Sequence, residues 1–274
     1  MAAPPSDTQV QRATVQSIRP VGDDAFVLEV TLPEALGPLR AGRFFMLKRE
    51  DDLSPAIPRP FSVYRQAADD RVDFLIKTLG RGTQALANTR VGEKVQLTGP
   101  LGNGWPVWEA DGSAKWFVGG GIGAAPFFMA IQQAIGVGVE PGKITFVYGG
   151  RTMGFLYDLD LFRELGVKVV AATDDGSEGF HGNVVQACES MLGEGEGAVQ
   201  VFTCGPDPMM KAVVAFADRN EFQSWVSLES YMGCGVGICN GCAVGTKEEG
   251  PYGDWPVAKC CVDGPVFASS AVQL

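Results

Sequence analysis

Histidine is nearly absent: His181 is the only one in 274 residues. A serine–histidine hydrolase is therefore argued against, since its general base would have to be this one residue. It lies in Gly179-Phe180-His181-Gly182 and reads as structural or surface. Positive charge is also short. Lys and Arg total 22 against 32 Asp and Glu, a formal net charge of −10. Such a chain has no electrostatic footprint for nucleic acid, and anionic lipid would repel it. The acidic run Glu50-Asp51-Asp52 reads as a solvated loop. Long apolar runs are missing too. The most apolar stretch, Trp116 to Ile131, covers about 16 residues, is broken by four glycines and Pro126, and is too short to span a bilayer. Met1 to Arg12 lacks the apolar segment of a signal peptide, so the expected location is the cytoplasm. No internal repeat is visible.

What is present is a large apolar fraction, 46%, and 36 glycines without a Gly-X-Y period. The first excludes wholesale disorder, and the second points to tight turns and close backbone approach to ligands. The pattern divides the chain into residues 1–110, 111–224 and 225–274. Short strand-like runs fill the first part: Val10 to Ile18, Ala25 to Thr31, Arg43 to Lys48, Arg71 to Thr78 and Lys94 to Thr98. Turn residues separate them, which suggests an antiparallel barrel or sandwich. The second part alternates. Strands at Lys115–Val118, Ile144–Tyr148, Lys168–Ala172 and Val199–Thr203 are interleaved with helices near Ala125–Ile135, Leu159–Glu164 and Pro208–Asn220. That alternation predicts an α/β domain with a parallel sheet. The last part is rich in cysteine and glycine, as expected of a small module folded around a metal.

Seven cysteines occur, five of them between Cys234 and Cys261. An odd, clustered set favours metal ligation over disulfides. Cys234-x4-Cys239-x2-Cys242, followed by Cys260 and Cys261, has the spacing of a plant-type 2Fe–2S site. Gly233, Gly235, Gly237 and Gly241 interleave the first three, leaving backbone N–H groups free to face the sulfurs. A four-thiolate zinc site is the alternative, although structural zinc usually presents two separate knuckles. Adjacent residues of an extended segment point to opposite sides, so one of Cys260 and Cys261 is the fourth ligand; spacing does not choose between them.

Two further patterns suggest nucleotides. Gly119-Gly120-Gly121-Ile122-Gly123-Ala124-Ala125-Pro126 follows a strand and opens a helix, and Gly119-x-Gly121-x-x-Ala124 fits a dinucleotide fingerprint. The acidic ribose partner usual at the end of the second strand is missing, because that strand ends Tyr148-Gly149-Gly150-Arg151. Arg59-Pro60-Phe61-Ser62, with Gly82-Thr83 after the next strand, offers an arginine able to bridge phosphates and a serine able to hydrogen-bond a ring.

In order and along nearly the whole chain, these motifs resemble the ferredoxin reductase-like superfamily: a flavin-binding antiparallel β-barrel, then a nucleotide-binding α/β domain. Arg59-Pro60-Phe61-Ser62 looks like its flavin motif, and Cys204-Gly205-Pro206-Asp207-Pro208-Met209 like its nucleotide motif. Gly99-Pro100-Leu101-Gly102-Asn103-Gly104, Thr173-Asp174-Asp175-Gly176-Ser177, Ser227-Leu228-Glu229 and Asp263-Gly264-Pro265-Val266-Phe267 narrow the likeness to the electron-transfer subunits of class 1B dihydroorotate dehydrogenase.

The resemblance implies three modules: an FAD-binding barrel over 1–110, an NAD-binding α/β domain over 111–224 and a 2Fe–2S module over 225–274. Arg59 would meet FAD phosphate and Ser62 the flavin ring. Leu75-Ile76-Lys77 would run beside the isoalloxazine, and Gly82-Thr83 would hold pyrophosphate. Gly119, Gly120, Gly121, Gly123, Gly205 and Pro206 would line the NAD(H) site, with Cys204 near the nicotinamide. The cluster ligands would be Cys234, Cys239, Cys242 and Cys261, leaving Cys260 spare. The implied partner is an FMN-containing catalytic subunit that oxidises dihydroorotate, in pyrimidine biosynthesis, and NAD is preferred to NADP. Equivalent subunits of a ferredoxin:NADP oxidoreductase, a sulfide dehydrogenase or a hydrogenase are alternatives. A zinc-stabilised nucleotide-binding regulator is one of a different class.

Overall fold

A computed structural model describes residues 8–50, 55–192 and 198–274. Asp51 and Asp52 of the acidic run, and the first seven residues of the segment read against a signal peptide, lie outside them. Glu50 is within, paired with Arg12 at 2.7 Å.

Among the described residues, the first sheet holds seven strands, all antiparallel, in the order β4-β3-β7-β1-β2-β6-β5. They are β1 (Gln9–Val21), β2 (Ala25–Thr31), β3 (Phe44–Arg49), β4 (Arg59–Ser62), β5 (Arg65–Ala68), β6 (Arg71–Lys77) and β7 (Lys94–Leu101). Between β6 and β7 lies helix α1 (Arg81–Ala87). The sheet becomes barrel-like through residues 59–68, which change partners at a corner. β4 pairs with β3, the Tyr64 N–H reaches the Asp73 carbonyl at 2.9 Å, and β5 pairs with β6. This corner was not legible in the sequence, because β4 and β5 are four residues each and carry Pro60 and two arginines in place of an alternating pattern.

The second sheet has the order β11-β10-β9-β8-β12-β13-β16. Its strands are β8 (Ala114–Gly120), β9 (Ile144–Gly150), β10 (Lys168–Thr173), β11 (Phe180–His181), β12 (Val199–Cys204), β13 (Gln223–Ser227) and, antiparallel at the edge, β16 (Val266–Ala268). The helices are α2 (Phe127–Gly136), α3 (Leu159–Arg163), α4 (Val184–Met191) and α5 (Asp207–Arg219). β8 pairs with β9 on one side and β12 on the other, so the strand order reverses there. In doubly wound sheets a ligand crevice opens at that reversal, outside the carboxyl ends of the strands. Those ends carry Gly119-Gly120 and Cys204.

The main apolar core runs through both domains. Trp105, fully buried, stacks on Phe127 at 5.3 Å and donates its indole N–H to the Pro126 carbonyl at 3.2 Å. One side chain at the end of the barrel therefore fixes where helix α2 starts; removing a buried tryptophan typically costs about 3–5 kcal/mol.

The third part comprises a two-stranded ladder, β14 (Ala243–Gly245) with β15 (Val257–Lys259), and the edge strand β16. Asn103 seats it on the barrel. Its Nδ2 donates to the carbonyls of Asp263 (2.8 Å) and Val266 (2.7 Å), its Oδ1 accepts from the Val266 N–H (3.2 Å), and its own N–H donates to the Gly264 carbonyl (2.7 Å). Two sequence motifs about 160 residues apart, Gly99–Gly104 and Asp263–Phe267, thus meet face to face.

Candidate functional site

Four cysteine sulfurs come together in two pairs. Cys234 Sγ accepts the Cys239 N–H at 3.4 Å and further backbone N–H groups from Val236 and Ile238. These donors outweigh burial and bring the thiol down to about 7, as expected where N–H groups converge on a thiolate. Gly235 and Gly237, both at positive φ, give the loop this curl; a Cβ on Gly235 would strike the Met46 side chain at 2.6 Å. The second pair is Cys242 and Cys261, their sulfurs 3.1 Å apart with both thiols free. Cys261 is pushed up to about 12 by burial and by its hydrogen-bonded Cys242 neighbour. Cys260 turns the other way: its buried thiol donates to the Leu228 carbonyl at 3.4 Å. Among the described residues no group of three or more His, Cys, Asp or Glu side chains is closed around a single point. Two cysteine pairs, Cys234 with Cys239 and Cys242 with Cys261, would suit a two-iron cluster, in which each iron takes two thiolates.

The flavin-motif residues gather where β4, the end of β6 and the start of α1 meet. Arg59 is exposed, and its Nη1 donates to the Ile57 carbonyl at 2.7 Å. Its stem lies over Gly82, where a Cβ would sit 3.6 Å from Arg59 Cγ. Pro60, Phe61 and Ser62 continue β4 in register with Met46, Phe45 and Phe44. Leu75 and Ile76 are buried, and Lys77 ends β6 half-buried. Gly82 and Thr83 fall inside the first turn of α1. The Thr83 hydroxyl is occupied there, receiving the N–H groups of Leu79 (2.9 Å) and Gly80 (3.1 Å). Ile57 and Leu79 flank this surface with 55% and 76% of their area exposed. Exposed apolar side chains beside an arginine and a helix start form a surface that a ring with phosphates would cover.

The nucleotide crevice is a cleft of about 460 Å³ at the reversal of strand order. Gly120, Gly121, Gly205 and Pro206 line it, joined by Arg151, Phe155, Asp174 and Glu229, with Lys77 from the barrel. Gly119 and Gly123 of the predicted fingerprint do not reach it. A Cβ on Gly119 would press Phe146 and Phe127 at 3.2–3.3 Å, and one on Gly123 would sit 2.2 Å from the Cys204 carbonyl. Both serve close packing, as does Gly120, where a Cβ would sit 2.5 Å from the Met209 sulfur; Gly121, with nothing within 4 Å of a Cβ, leaves its backbone bare toward the cleft. Cys204 lies beneath the cleft floor, buried, with Ser227 bonded to its sulfur; burial and the Glu229 charge push its thiol up. Glu229 stays open to solvent at the cleft wall, yet the surrounding protein and Asp207 raise its carboxyl pKa. Glu229, Asn183 and Phe155 carried no assigned role in the sequence. Asn183 had a signal: with Gln186 it forms a capping box opening α4, a helix absent from the sequence reading.

Fold and site define a flavin- and iron–sulfur-dependent, NAD-linked oxidoreductase component with a ferredoxin reductase-like fold. Three family models match in succession: an oxidoreductase FAD-binding domain over residues 12–105, an oxidoreductase NAD-binding domain over 117–215, and the iron–sulfur cluster binding domain of dihydroorotate dehydrogenase B over 229–273. The electron transfer subunit of dihydroorotate dehydrogenase B (NAD(+)) from Lysinibacillus sphaericus is 35% identical over 251 residues, 90% of this chain and 93% of that one. Its counterpart from Desulforamulus reducens is 30% identical over 263 residues, 96% and 97% of the two chains. A solved structure of an NADH-dependent reduced ferredoxin-NADP oxidoreductase superposes with a TM-score of 0.81 at 25% identity, covering 95% of this chain and 89% of that one. The chain belongs to the family of dihydroorotate dehydrogenase B electron transfer subunits. Among the described residues no helix is long and apolar enough to cross a membrane.

Proposed function

We propose that this chain carries electrons between an FMN-containing catalytic subunit, which oxidises dihydroorotate, and NAD, in the cytoplasm, as three modules spanning residues 1–110, 111–224 and 225–274. When bound, FAD supplies the conversion between two-electron hydride exchange with a nicotinamide and one-electron exchange with an iron–sulfur cluster. The chain's own residues bind and orient. Arg59, Gly82 and Thr83 hold the flavin phosphates, and Ser62 with the Leu75–Lys77 strand borders its ring. Gly120, Gly121, Gly205 and Pro206 hold the dinucleotide, and Cys204 supports the floor from below. Cys234, Cys239, Cys242 and Cys261 ligate the cluster.

The carrying observation is the placement of the cysteine pairs against the barrel. Phe44, Met46 and Leu101 of β3 and β7 pack with Cys242, Cys260 and Cys261 in one apolar cluster. Phe44 and Met46 are also the register partners of Ser62 and Pro60 in the flavin-motif strand. One strand of spacing therefore separates the thiolates from the flavin surface, which keeps the two redox sites neighbours. Beside exposed Cys239, Tyr231 and Ile238 present 94% and 80% of their surface, an apolar rim suited to a docking subunit.

The test is reconstitution with the dihydroorotate-oxidising subunit, FMN and NAD. Dihydroorotate-dependent NAD reduction that requires this chain is the expected result. Activity only with a different partner, such as the complex named by the 25%-identical solved structure, would replace the catalytic subunit in this proposal.

A further inference from the structure

A hydrogen-bonded chain of side chains links the two walls of the nucleotide cleft. Gly121, in the glycine turn after β8, offers its carbonyl to the Tyr148 hydroxyl at 3.0 Å. That same hydroxyl accepts the Tyr157 N–H at 2.9 Å. The Tyr157 hydroxyl donates to Asp24 Oδ1 at 2.5 Å, and Asp24 Oδ2 pairs with Lys77 Nζ at 3.2 Å. Gly121 and Lys77, the two ends, both line the cleft. Gly121 belongs to the α/β domain, Lys77 to the barrel strand beside the flavin surface, so the chain crosses the domain boundary between them.

The crossing point is closely packed. Tyr148 and Tyr157 are both fully buried. The Asp23 N–H donates to the Gly154 carbonyl at 3.0 Å, and the approach is so close that a Cβ on Gly154 would meet the Asp23 carboxylate. Next door, Arg19 of β1 holds Asp158 through two bonds of 2.7 Å, and the Tyr64 hydroxyl adds a third at 3.1 Å. Phe155 lies in the cleft between these anchors, with Lys77 5.1 Å and Arg151 4.7 Å from its ring centre. None of these contacts is required to close the sheets, whose ladders are complete without them.

We propose that Tyr148, Tyr157 and Asp24 are positioning residues for hydride transfer: they hold the glycine turn and Lys77 at a fixed separation, so that a bound nicotinamide meets the flavin face. The proposal rests on the cleft being the NAD(H) site. Transfer of a hydride requires the reacting atoms to be about 3–3.5 Å apart, and misplacement by 1 Å costs up to about 100-fold in rate. A chain of four polar contacts between the walls controls that separation without touching the ligand.

The test uses the full chain loaded with FAD and cluster, comparing Tyr157→Phe and Asp24→Asn with the parent. Tyr157→Phe removes only the hydroxyl donor. Asp24→Asn keeps an acceptor for Tyr157 but removes the ion pair to Lys77, and as a half-buried change near a loop it spares the core. Anaerobic flavin reduction by NADH is expected to slow about tenfold in each, with a larger isotope effect from 4-deuterated NADH. NAD+ affinity by calorimetry is expected to fall less than threefold, and the double variant to be no slower than the worse single one. Faster hydrogen exchange at the Asp23 and Tyr157 amides should accompany this without loss of bound flavin. Rates within twofold of the parent, with NAD+ binding intact, would overturn the proposal while leaving the cleft reading in place. No NAD+ binding by the parent chain would overturn both.

Discussion

Asn103 should control the lifetime of the cluster, although it touches no cysteine. Its side chain makes three hydrogen bonds into Asp263 and Val266, immediately after Cys261. At about 1 kcal/mol each, Asn103→Ala weakens the seating of this segment by about 3 kcal/mol, while the backbone bond to Gly264 survives. Opening of this segment uncovers buried Cys261, and 3 kcal/mol raises the open fraction roughly 100-fold. The assay is the rate at which visible cluster absorbance is lost from the purified, anaerobic chain after addition of a strong iron chelator. We expect a roughly 100-fold faster loss for Asn103→Ala, and faster still for Asn103→Asp, which sets a carboxylate against two carbonyls. Flavin content should stay constant in both, since Arg59 and Gly82 lie on other elements. A loss rate within threefold of the parent would show that Asn103 does not hold the cluster segment and that the meeting of the two motifs is incidental.

Cys261→Ser should abolish the cluster spectrum while Cys260→Ser largely keeps it, because Cys261 faces Cys242 and Cys260 faces the Leu228 carbonyl; EPR of the reduced variants decides, and equal loss in both would reverse the assignment. NADH should be preferred to NADPH, since Asp174 lines the cleft and the Arg151 guanidinium is engaged over Phe155. Asp174→Ser should raise kcat/KM for NADPH roughly tenfold; a parent chain preferring NADPH, switched to NADH by Arg151→Ala, would refute this. Glu229 has a raised carboxyl pKa, so its charge appears only as pH rises through that value, and it then repels the nucleotide phosphates. Affinity for NADH should therefore be highest below that pKa and decline above it, with Glu229→Gln flat; calorimetry across pH checks this, and an unchanged slope in the Gln variant would remove Glu229 from the explanation.

The elements that sequence reading found are those with a strong period or a long apolar run. β2 was bounded to the residue, and β8, β9, β10 and β12 each lay within two residues of their observed ends. Those missed derive their stability from tertiary contacts. β4 and β5 exist because a corner must close the barrel, and β13 because β12 and β16 flank it. α1 is a seven-residue helix whose start is held by Thr83, with no apolar stripe to announce it. At the site, cysteine spacing pointed to an iron–sulfur module without help from the fold, in keeping with the iron–sulfur cluster binding domain matched over residues 229–273. The cleft was legible only in part. Chain reversal at β8 and β12 brings Gly121, Asp174, Glu229 and Lys77 together from four separate elements, and no spacing rule connects them. Gly119, Gly120 and Gly123, where a Cβ would collide with neighbours, look the same in sequence as Gly121, which opens onto the cleft, because a missing Cβ serves either purpose.

A nicotinamide site, a flavin and a two-iron cluster should form one electron path within this single chain. This is tested most directly by purifying the chain anaerobically, measuring iron, acid-labile sulfide, zinc and flavin, and titrating the same sample with NADH. We expect about two iron atoms, about two sulfides and about one FAD per chain, with NADH bleaching flavin and cluster absorbance together. Stoichiometric zinc without labile sulfide, or a cluster that NADH cannot reduce in the presence of bound FAD, would contradict it.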